Sequence, residues 1–229
     1  MRDQLQQVSN AYDLTVKQHR EMIDPLANVP DEFRRSKEFR DFQQEAGPEV
    51  TGSNVPENKQ FLDPKSGMKF LDAGCCANLA NYRFDKWPSE YYGVDISPAL
   101  VNAMKGFVTH DGISVGDLKV AELTDLPFGD DFFDIASVIG VLQYVDLNYC
   151  ESALQELNRV LKNGSRMVVD IPNLGHAHVH TMFKLEEYLG RPNIPKSRKE
   201  FEGILTPLFT IVKMDDSRVV LKYFVQTKK

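Results

Sequence analysis

The chain has 229 residues, 42% of them hydrophobic, and a formal net charge of −6. This length suits one sizeable core with an accessory segment, and an acidic balance without an extended basic run argues against nucleic acid as a partner. No apolar stretch approaches the roughly 20 residues that cross a bilayer, and three cysteines without a signal-peptide pattern predict a reduced, cytoplasmic protein with no membrane partner.

The first 60 residues are expected to form a helical cap and a linker. Four apolar residues near the N-terminus recur at three- or four-residue steps: Leu5, Val8, Tyr12 and Val16. This spacing places them on one face of a helix. Residues 46–67 are rich in Gly, Pro, Asn and Ser and lack periodicity, which is typical of a linker. The domain boundaries that follow are 1–60 for the cap and linker and 61–229 for the main domain.

From residue 68 onward, strand-like and helix-like patterns alternate. Short apolar runs occur at 68–74, 91–97, 132–140 and 165–173. Helical spacing follows in two of the intervals, and the second helix is expected to stop at Asn163-Gly164. This alternation predicts an α/β fold with a doubly wound, mostly parallel sheet.

The C-terminal end has a different pattern. Two further strand-like runs, 208–214 and 218–227, flank the turn-like "DDS". They predict an antiparallel hairpin that closes the sheet.

Acidic residues near the ends of the predicted strands indicate where a ligand would bind. In a doubly wound sheet, ligands lie outside the carboxyl ends of the strands. Asp72 ends the first strand, Asp95 the second, and Asp117 follows later. An acid about 20 residues beyond the first turn is placed to accept hydrogen bonds from both ribose hydroxyls, and Asp95 fits this role. The alternative for any one of these acids is a solvated loop end or a helix cap.

Five segments together resemble the class I S-adenosylmethionine-dependent methyltransferases. The similarity covers about residues 68–170 and rests on "FLDAGCCAN", "YGVDIS", "GDL", "DLPFGDDFFDIASV" and "ALQELNRVLKNGSRMVV". It implies a seven-stranded sheet and S-adenosylmethionine as the cofactor, with Asp95 on the ribose and Asp117 on the adenine. The cofactor-binding residues that it implies are Asp72, Ala73, Gly74, Cys76, Asn78, Asp95, Ile96, Asp117, Leu118, Ile139 and Gly140.

The first motif departs from the family pattern at two glycine positions, which hold Cys76 and Asn78. The cofactor carries no phosphate, so Gly74 is expected to matter most. Asn78 tolerates a left-handed conformation and can cap the following helix, whereas the Cys76 side chain could narrow the pocket. The vicinal Cys75-Cys76 pair could indicate soft-metal chemistry, but small buried residues beside a tight turn are the favoured interpretation, and no metal is expected.

Candidate catalytic and substrate residues come from two places and from the cap. One is the segment after the fourth strand, and the other is a lid insertion at about 174–203 that holds three closely spaced histidines. The catalytic candidates are His176, His178, His180 and Tyr144, and the substrate candidates are Tyr12 and Gln143. A two- or three-histidine metal site and an exposed loop without a role are alternatives for the histidines.

Five basic residues in the cap and the lid could receive an acidic substrate, although surface solvation explains most of them: Arg34, Arg35, Arg191, Arg198 and Lys199. The resemblance implies methyl transfer to a small-molecule acceptor, with the acceptor atom and the oligomeric state open. A non-catalytic S-adenosylmethionine-binding regulatory or partner protein is the alternative, and aminopropyl transfer is a third.

Overall fold

Seven strands build the sheet in this computed structural model, which describes residues 2–50 and 56–229 apart from the side chains of 46–50. The strands are β1 (Lys69–Ala73), β2 (Glu90–Asp95), β3 (Asp117–Val120), β4 (Phe133–Val138), β5 (Leu161–Pro172), β6 (Phe209–Asp215) and β7 (Val220–Thr227). Their order in the sheet is β3-β2-β1-β4-β5-β7-β6. The first five strands pair in parallel, and β7 pairs antiparallel with both β5 and β6. The predicted α/β sheet and its C-terminal hairpin are confirmed.

Helices cover both faces of the sheet. Those of the described residues are α1 (Arg2–Arg20), α2 (Asp31–Arg34), α3 (Lys37–Val50), α4 (Pro56–Leu62), α5 (Asn78–Asn81), α6 (Pro98–Asp111), α7 (Leu147–Val160), α8 (Val179–Tyr188) and α9 (Arg198–Leu205). Successive residues of a strand point to opposite faces. Phe70 therefore joins a buried cluster with residues of α4, α5 and α6, while Leu71 joins a cluster with residues of α7 and α9.

Two sequence expectations about element limits are wrong. Helix α7 ends at Val160, three residues before the expected stop, because β5 begins at once at Leu161. Gly164, with φ of +73°, lies where the pairing of β5 with β4 shifts register. The region expected as a linker contains the end of α3 and all of α4, while residues 51–55 lie outside the described part.

The cap contributes to the site through α1. Ser97, the N-cap of α6, accepts a hydrogen bond from Leu100 N at 3.0 Å and donates one to Asp13 of α1 at 2.5 Å. Ser9 donates to the carbonyl of Ile96 at 3.4 Å. These contacts hold α1 beside the residues that follow β2.

Helices α2, α3 and α8 meet in a separate small cluster that includes Phe33, Phe39 and Met182. Helix α9 belongs to the main core instead, since Phe201 and Leu205 are fully buried there. Of the predicted lid, the last residues therefore cover the sheet, and 174–197 remain as the insertion. Among the described residues, no helix has both the length and the apolar character to span a bilayer.

Candidate functional site

A cavity of about 290 Å³ lies at the carboxyl ends of the parallel strands, under α1 and the insertion after β5. Its walls include ten residues that the sequence singled out: Tyr12, Gly74, Cys76, Asn78, Asp95, Ile96, Ile139, Gly140, Gln143 and Tyr144. The volume is near the lower end of small-molecule sites. This is the edge where ligands of doubly wound sheets bind.

The turn after β1 depends on Gly74. Its φ is +78°, a conformation that glycine adopts without steric cost. A Cβ added at this position would also lie 2.2 Å from Val141 Cγ2, a residue of the segment after β4. Both backbone conformation and space therefore require glycine here, as the sequence suggested.

Cys76 is the second residue of this turn with positive φ, at +40°. The expectation that Asn78 would take the left-handed conformation and cap the next helix is wrong, because Asn78 is the first residue of α5 and Ala77 is its N-cap. The Asn78 amide instead donates back to Asp72 Oδ1 at 3.4 Å. Cysteine thus occupies a conformation that costs it about 1 kcal/mol relative to glycine.

Asp95 ends β2 and presents its carboxylate to the cavity. Its Oδ2 accepts the backbone N–H of Cys76 at 2.8 Å, and its Oδ1 accepts that of Ser97 at 2.9 Å. Burial raises the pKa of this carboxyl above its ordinary value, against the lowering effect of these backbone hydrogen bonds. A carboxylate has about four acceptor positions, so these hydrogen bonds leave acceptor capacity for a ligand.

Asp72 is fully buried beneath the cavity and is absent from its lining. Tyr91 donates to its Oδ2 and Ser137 to its Oδ1, both at 2.8 Å. Burial raises the pKa of Asp72 to about 7. The carboxyl joins β1 to β2 and β4, and the next residue, Ala73, is equally buried. Both residues support the turn from below.

The expectation that Asp117 lies beside the adenine is affected by where β3 begins and ends. Asp117 is the first residue of that strand and pairs with Tyr92, not with Asp95. It forms a salt bridge with Lys119 at 3.2 Å, and neither it nor the buried Leu118 lines the cavity. The acid that follows the carboxyl end of β3 and lines the cavity is Glu122. The rule of acids at strand ends would have selected Glu122 had the strand limits been known.

Ile139 and Gly140 follow β4 and line the cavity as expected. Gly140 has φ of +69°, and its N–H donates to Asp170 Oδ1 at 2.8 Å. Asp170 lies in β5, opposite Lys222 of β7. The buried carboxylate thereby fixes the backbone at the end of β4.

Four polar side chains form a hydrogen-bonded network on the β4 and β5 side of the cavity. Tyr144 donates to Glu186 Oε2 at 2.9 Å, and the hydroxyl oxygens of Tyr144 and Tyr12 lie 3.0 Å apart. Arg191 Nη1 lies 3.2 Å from the same Glu186 oxygen. Burial raises the pKa of both tyrosines, so both hydroxyls stay protonated. Sequence reasoning missed Glu186, which α8 brings to Tyr144 from 42 positions away.

The three histidines lie apart from this cavity. His176 Nε2 is 3.1 Å from Glu45 Oε1, and His178 Nε2 is 3.5 Å from Glu45 Oε2. His180 is exposed and lines a surface groove with Phe33. The structure therefore gives the histidines no contact with the other candidate residues.

The cysteines are free thiols. Burial raises the pKa of Cys76 to about 12. Burial also raises the pKa of Cys75 well above its ordinary value. Both thus remain protonated, whereas thiolates are the metal-binding and nucleophilic form. In the part of the chain that the structure describes, no group of three or more His, Cys, Asp or Glu side chains could hold a metal ion.

A family model described as "Methyltransferase domain" matches residues 71–169. A ubiquinone/menaquinone biosynthesis C-methyltransferase of Bordetella avium is 33% identical over 108 residues, which are 46% of this chain and 41% of that protein. The chain thus spans less than half the length of this curated relative.

Solved structures share the fold. The putative methyltransferase in complex with the Trm112 methyltransferase activator of Haloferax volcanii has a TM-score of 0.64 at 16% identity, covering 88% of this chain and all of that chain. An S-adenosylmethionine-dependent methyltransferase of Methanosarcina mazei has a TM-score of 0.59 at 16% identity, covering 77% of this chain and 99% of its own. At these identities the likeness establishes the fold alone.

Proposed function

We propose that this chain, which belongs to the class I S-adenosylmethionine-dependent methyltransferases, transfers the methyl group of that cofactor to a small-molecule acceptor. The observation that carries the proposal is the position of Asp95. Its carboxylate ends β2 at the cavity, is fixed by two backbone N–H groups and keeps acceptor positions for a ribose diol.

The residues present fit this cofactor. Gly74 leaves the backbone after β1 without a side chain where the cavity begins. The walls carry three acids, Asp95, Glu122 and Glu186, against one cation, Arg191. Such a lining favours a ligand that bears positive charge. Asp95 would hold the ribose, and Glu122 would lie beside the base.

When bound, the cofactor would supply a methyl group on a positively charged sulfur. The nucleophile of the acceptor takes the methyl group, and the sulfur leaves as the thioether of S-adenosylhomocysteine. The protein's task in such a displacement is to align the acceptor and to exclude water. Helix α1 contributes Leu5 and Val8 to the walls and so covers part of the cavity with apolar side chains. Buried Gln143 contributes from the segment after β4.

Tyr12 is the residue best placed to contact the nucleophile of the acceptor. Tyr144 donates its only hydroxyl hydrogen to Glu186, so the hydrogen between the two tyrosines comes from Tyr12. The Tyr12 oxygen then keeps a lone pair that can accept an N–H or O–H of the acceptor. This direction of hydrogen bonding lets Tyr12 orient the nucleophile, while Tyr144 and Glu186 fix the position of the Tyr12 hydroxyl.

The curated relative is matched over less than half of its length, so its acceptor is not transferred to this chain. The acceptor class is proposed from the cavity instead. A small molecule is favoured because α1 and the insertion cover part of a cavity of about 290 Å³. We also propose a cytoplasmic location, which the three free cysteines support.

The proposal is tested by incubating the protein with S-adenosylmethionine and a panel of thiols, phenols, amines and carboxylic acids. Formation of S-adenosylhomocysteine above the acceptor-free rate with at least one class is the expected result. Tyr12→Phe should lower that rate while leaving cofactor affinity within about twofold. Cofactor binding without turnover across the whole panel would contradict the proposal and favour the non-catalytic alternative.

A further inference from the structure

Arg191 is a cation held in the cavity wall with part of its hydrogen-bonding capacity unused. Its side chain is only 13% exposed. Nη1 contacts the Glu186 carboxylate at 3.2 and 3.5 Å, whereas Nε is buried and has no hydrogen-bond partner among the described side chains and backbone. A buried donor left without a partner is destabilising. Because Arg191 lines the cavity, this unused N–H points to a ligand acceptor.

The guanidinium is held in place before any ligand arrives. Gly190, two residues after the end of α8, has φ of +75°, and the Arg191 N–H donates back to the Glu186 carbonyl at 2.9 Å. Gln7 of α1 donates to the Gly190 carbonyl at 3.0 Å, and Ile194 N donates to the Gln143 carbonyl at 2.9 Å. The segment is thus attached on both sides of Arg191.

The Tyr12 ring adds a second constraint on the side chain. The guanidinium carbon of Arg191 lies 4.2 Å from the Tyr12 ring centroid, a distance at which a cation and an aromatic face attract each other. Nη1 of Arg191 donates to Glu186, so the edge of the guanidinium formed by Nε and Nη2 remains available to a ligand. That edge is the planar fork that matches a carboxylate with two parallel hydrogen bonds.

The location of Arg191 indicates the acceptor side of the cavity. Cys76, Asp95 and Glu122 follow β1, β2 and β3, which form one half of the sheet. Tyr144 follows β4, while Glu186 and Arg191 follow β5, on the other half. Asp95 and Glu122, proposed above for the ribose and the base, belong to the first half, whereas Arg191 contacts Tyr12 and Glu186, the residues proposed above on the acceptor side.

We propose that Arg191 binds a carboxylate of the methyl acceptor, so that the acceptor is a small organic acid. This inference rests on the proposed methyl transfer and adds the acceptor class. Arg191 is the one cation of the described lining, and Glu186 already balances part of its charge. A carboxylate fits the fork and adds a single negative charge beside Glu186, whereas a phosphate monoester would add about −1.5 to −2 charges there.

Calorimetry on the protein saturated with S-adenosylhomocysteine tests this inference with paired probes, acetate against acetamide and benzoate against benzamide. We expect wild type to bind at least one acid about tenfold or more tighter than its amide, since hydrogen bonds between charged partners are stronger than those to a neutral amide. Arg191→Gln should abolish the preference. Arg191→Lys, which keeps the charge without the fork, should retain part of it, and Arg198→Gln, at an exposed arginine paired with Glu202, should retain all of it.

Three results would overturn the assignment. The first is a wild type that does not prefer either acid, and the second is a preference that persists in Arg191→Gln. The third is an Arg191→Gln variant, folded by its thermal transition, whose affinity for S-adenosylhomocysteine falls about tenfold, which would assign the fork to the amino-acid carboxylate of the cofactor. Failure of wild type to bind S-adenosylhomocysteine at all would instead contradict the proposed function itself, and this inference with it.

Discussion

The backbone N–H of Cys76 donates a 2.8 Å hydrogen bond to the carboxylate of Asp95, while Cys76 itself has φ of +40°. The turn after β1 and the end of β2 are thereby joined through a residue in a conformation that favours glycine. The hydrogen bond needs only the backbone of Cys76. The side chain adds a Cβ that the left-handed region disfavours.

Cys76→Gly should therefore preserve the turn and relieve the strain. We expect an affinity for S-adenosylhomocysteine equal to or higher than that of wild type and an unfolding free energy within about 1 kcal/mol of it. Cys76→Ala is the matched control, because it removes the thiol and keeps the Cβ. Calorimetry and denaturant unfolding of both variants provide the measurement. A glycine variant with much weaker binding and an alanine variant without loss would mean that the turn needs the side chain.

Gly74→Ala should be far more damaging than the same change at another glycine of positive φ. The new Cβ would lie 2.2 Å from Val141 Cγ2, so strain and overpacking together cost about 3 kcal/mol or more. Gly112, at φ of +63° with open space around it, provides the control, with about 1 kcal/mol expected. Chemical denaturation compares the two. Equal losses would show that the contact with Val141 relaxes without cost.

Glu122→Gln should weaken S-adenosylhomocysteine binding about fivefold, since a charged acceptor bond is worth more than a neutral one. Asp117→Asn should change the affinity by less than about twofold, because Asp117 begins β3 and is absent from the cavity lining. Titration calorimetry on the two variants decides between the acids. A larger loss at Asp117 would restore the expectation from the sequence.

The raised pKa of Asp72 should make the protein less stable as the pH rises. Burial raises its pKa from 3.8 to about 7 in the folded protein, so the folded state binds this proton more tightly than the unfolded state does. The stabilisation is complete below the unfolded pKa and is lost as the pH rises through the folded pKa. The unfolding free energy of wild type minus that of Asp72→Asn should therefore fall as the pH rises from about 4 to about 7 and level off above that. A difference that rises over this range, or stays constant, would contradict the raised pKa.

The sequence could predict the sheet because its strands and helices carry strong local patterns. The apolar run that holds Asp95 and the helix expected before Asn163 depend on neighbours in the chain, and the structure has both, as β2 and α7. The limits of β3 were not predictable in this way, since Val120 at its end is an exposed residue of a four-residue strand.

Cavity residues at strand ends could be predicted from the sequence, whereas those brought in by helix packing could not. Gly74 and Asp95 follow directly from strand ends, so their positions in the chain sufficed. Glu186 and Arg191 reach the site only because α8 packs beside the segment that holds Tyr144, and no local pattern encodes that approach. The histidines illustrate the converse, because close spacing in the chain brought His176 and His178 to Glu45 and not to the cavity.

Binding of S-adenosylhomocysteine to wild type and to Asp95→Asn, measured by titration calorimetry, tests most directly whether this cavity holds the cofactor through its β2 carboxylate. We predict one-to-one binding to wild type and an affinity at least about tenfold weaker in a folded Asp95→Asn variant, because two charge-assisted hydrogen bonds of about 1.5–3 kcal/mol each are affected. No binding to wild type, or equal binding to both proteins, would contradict this assignment.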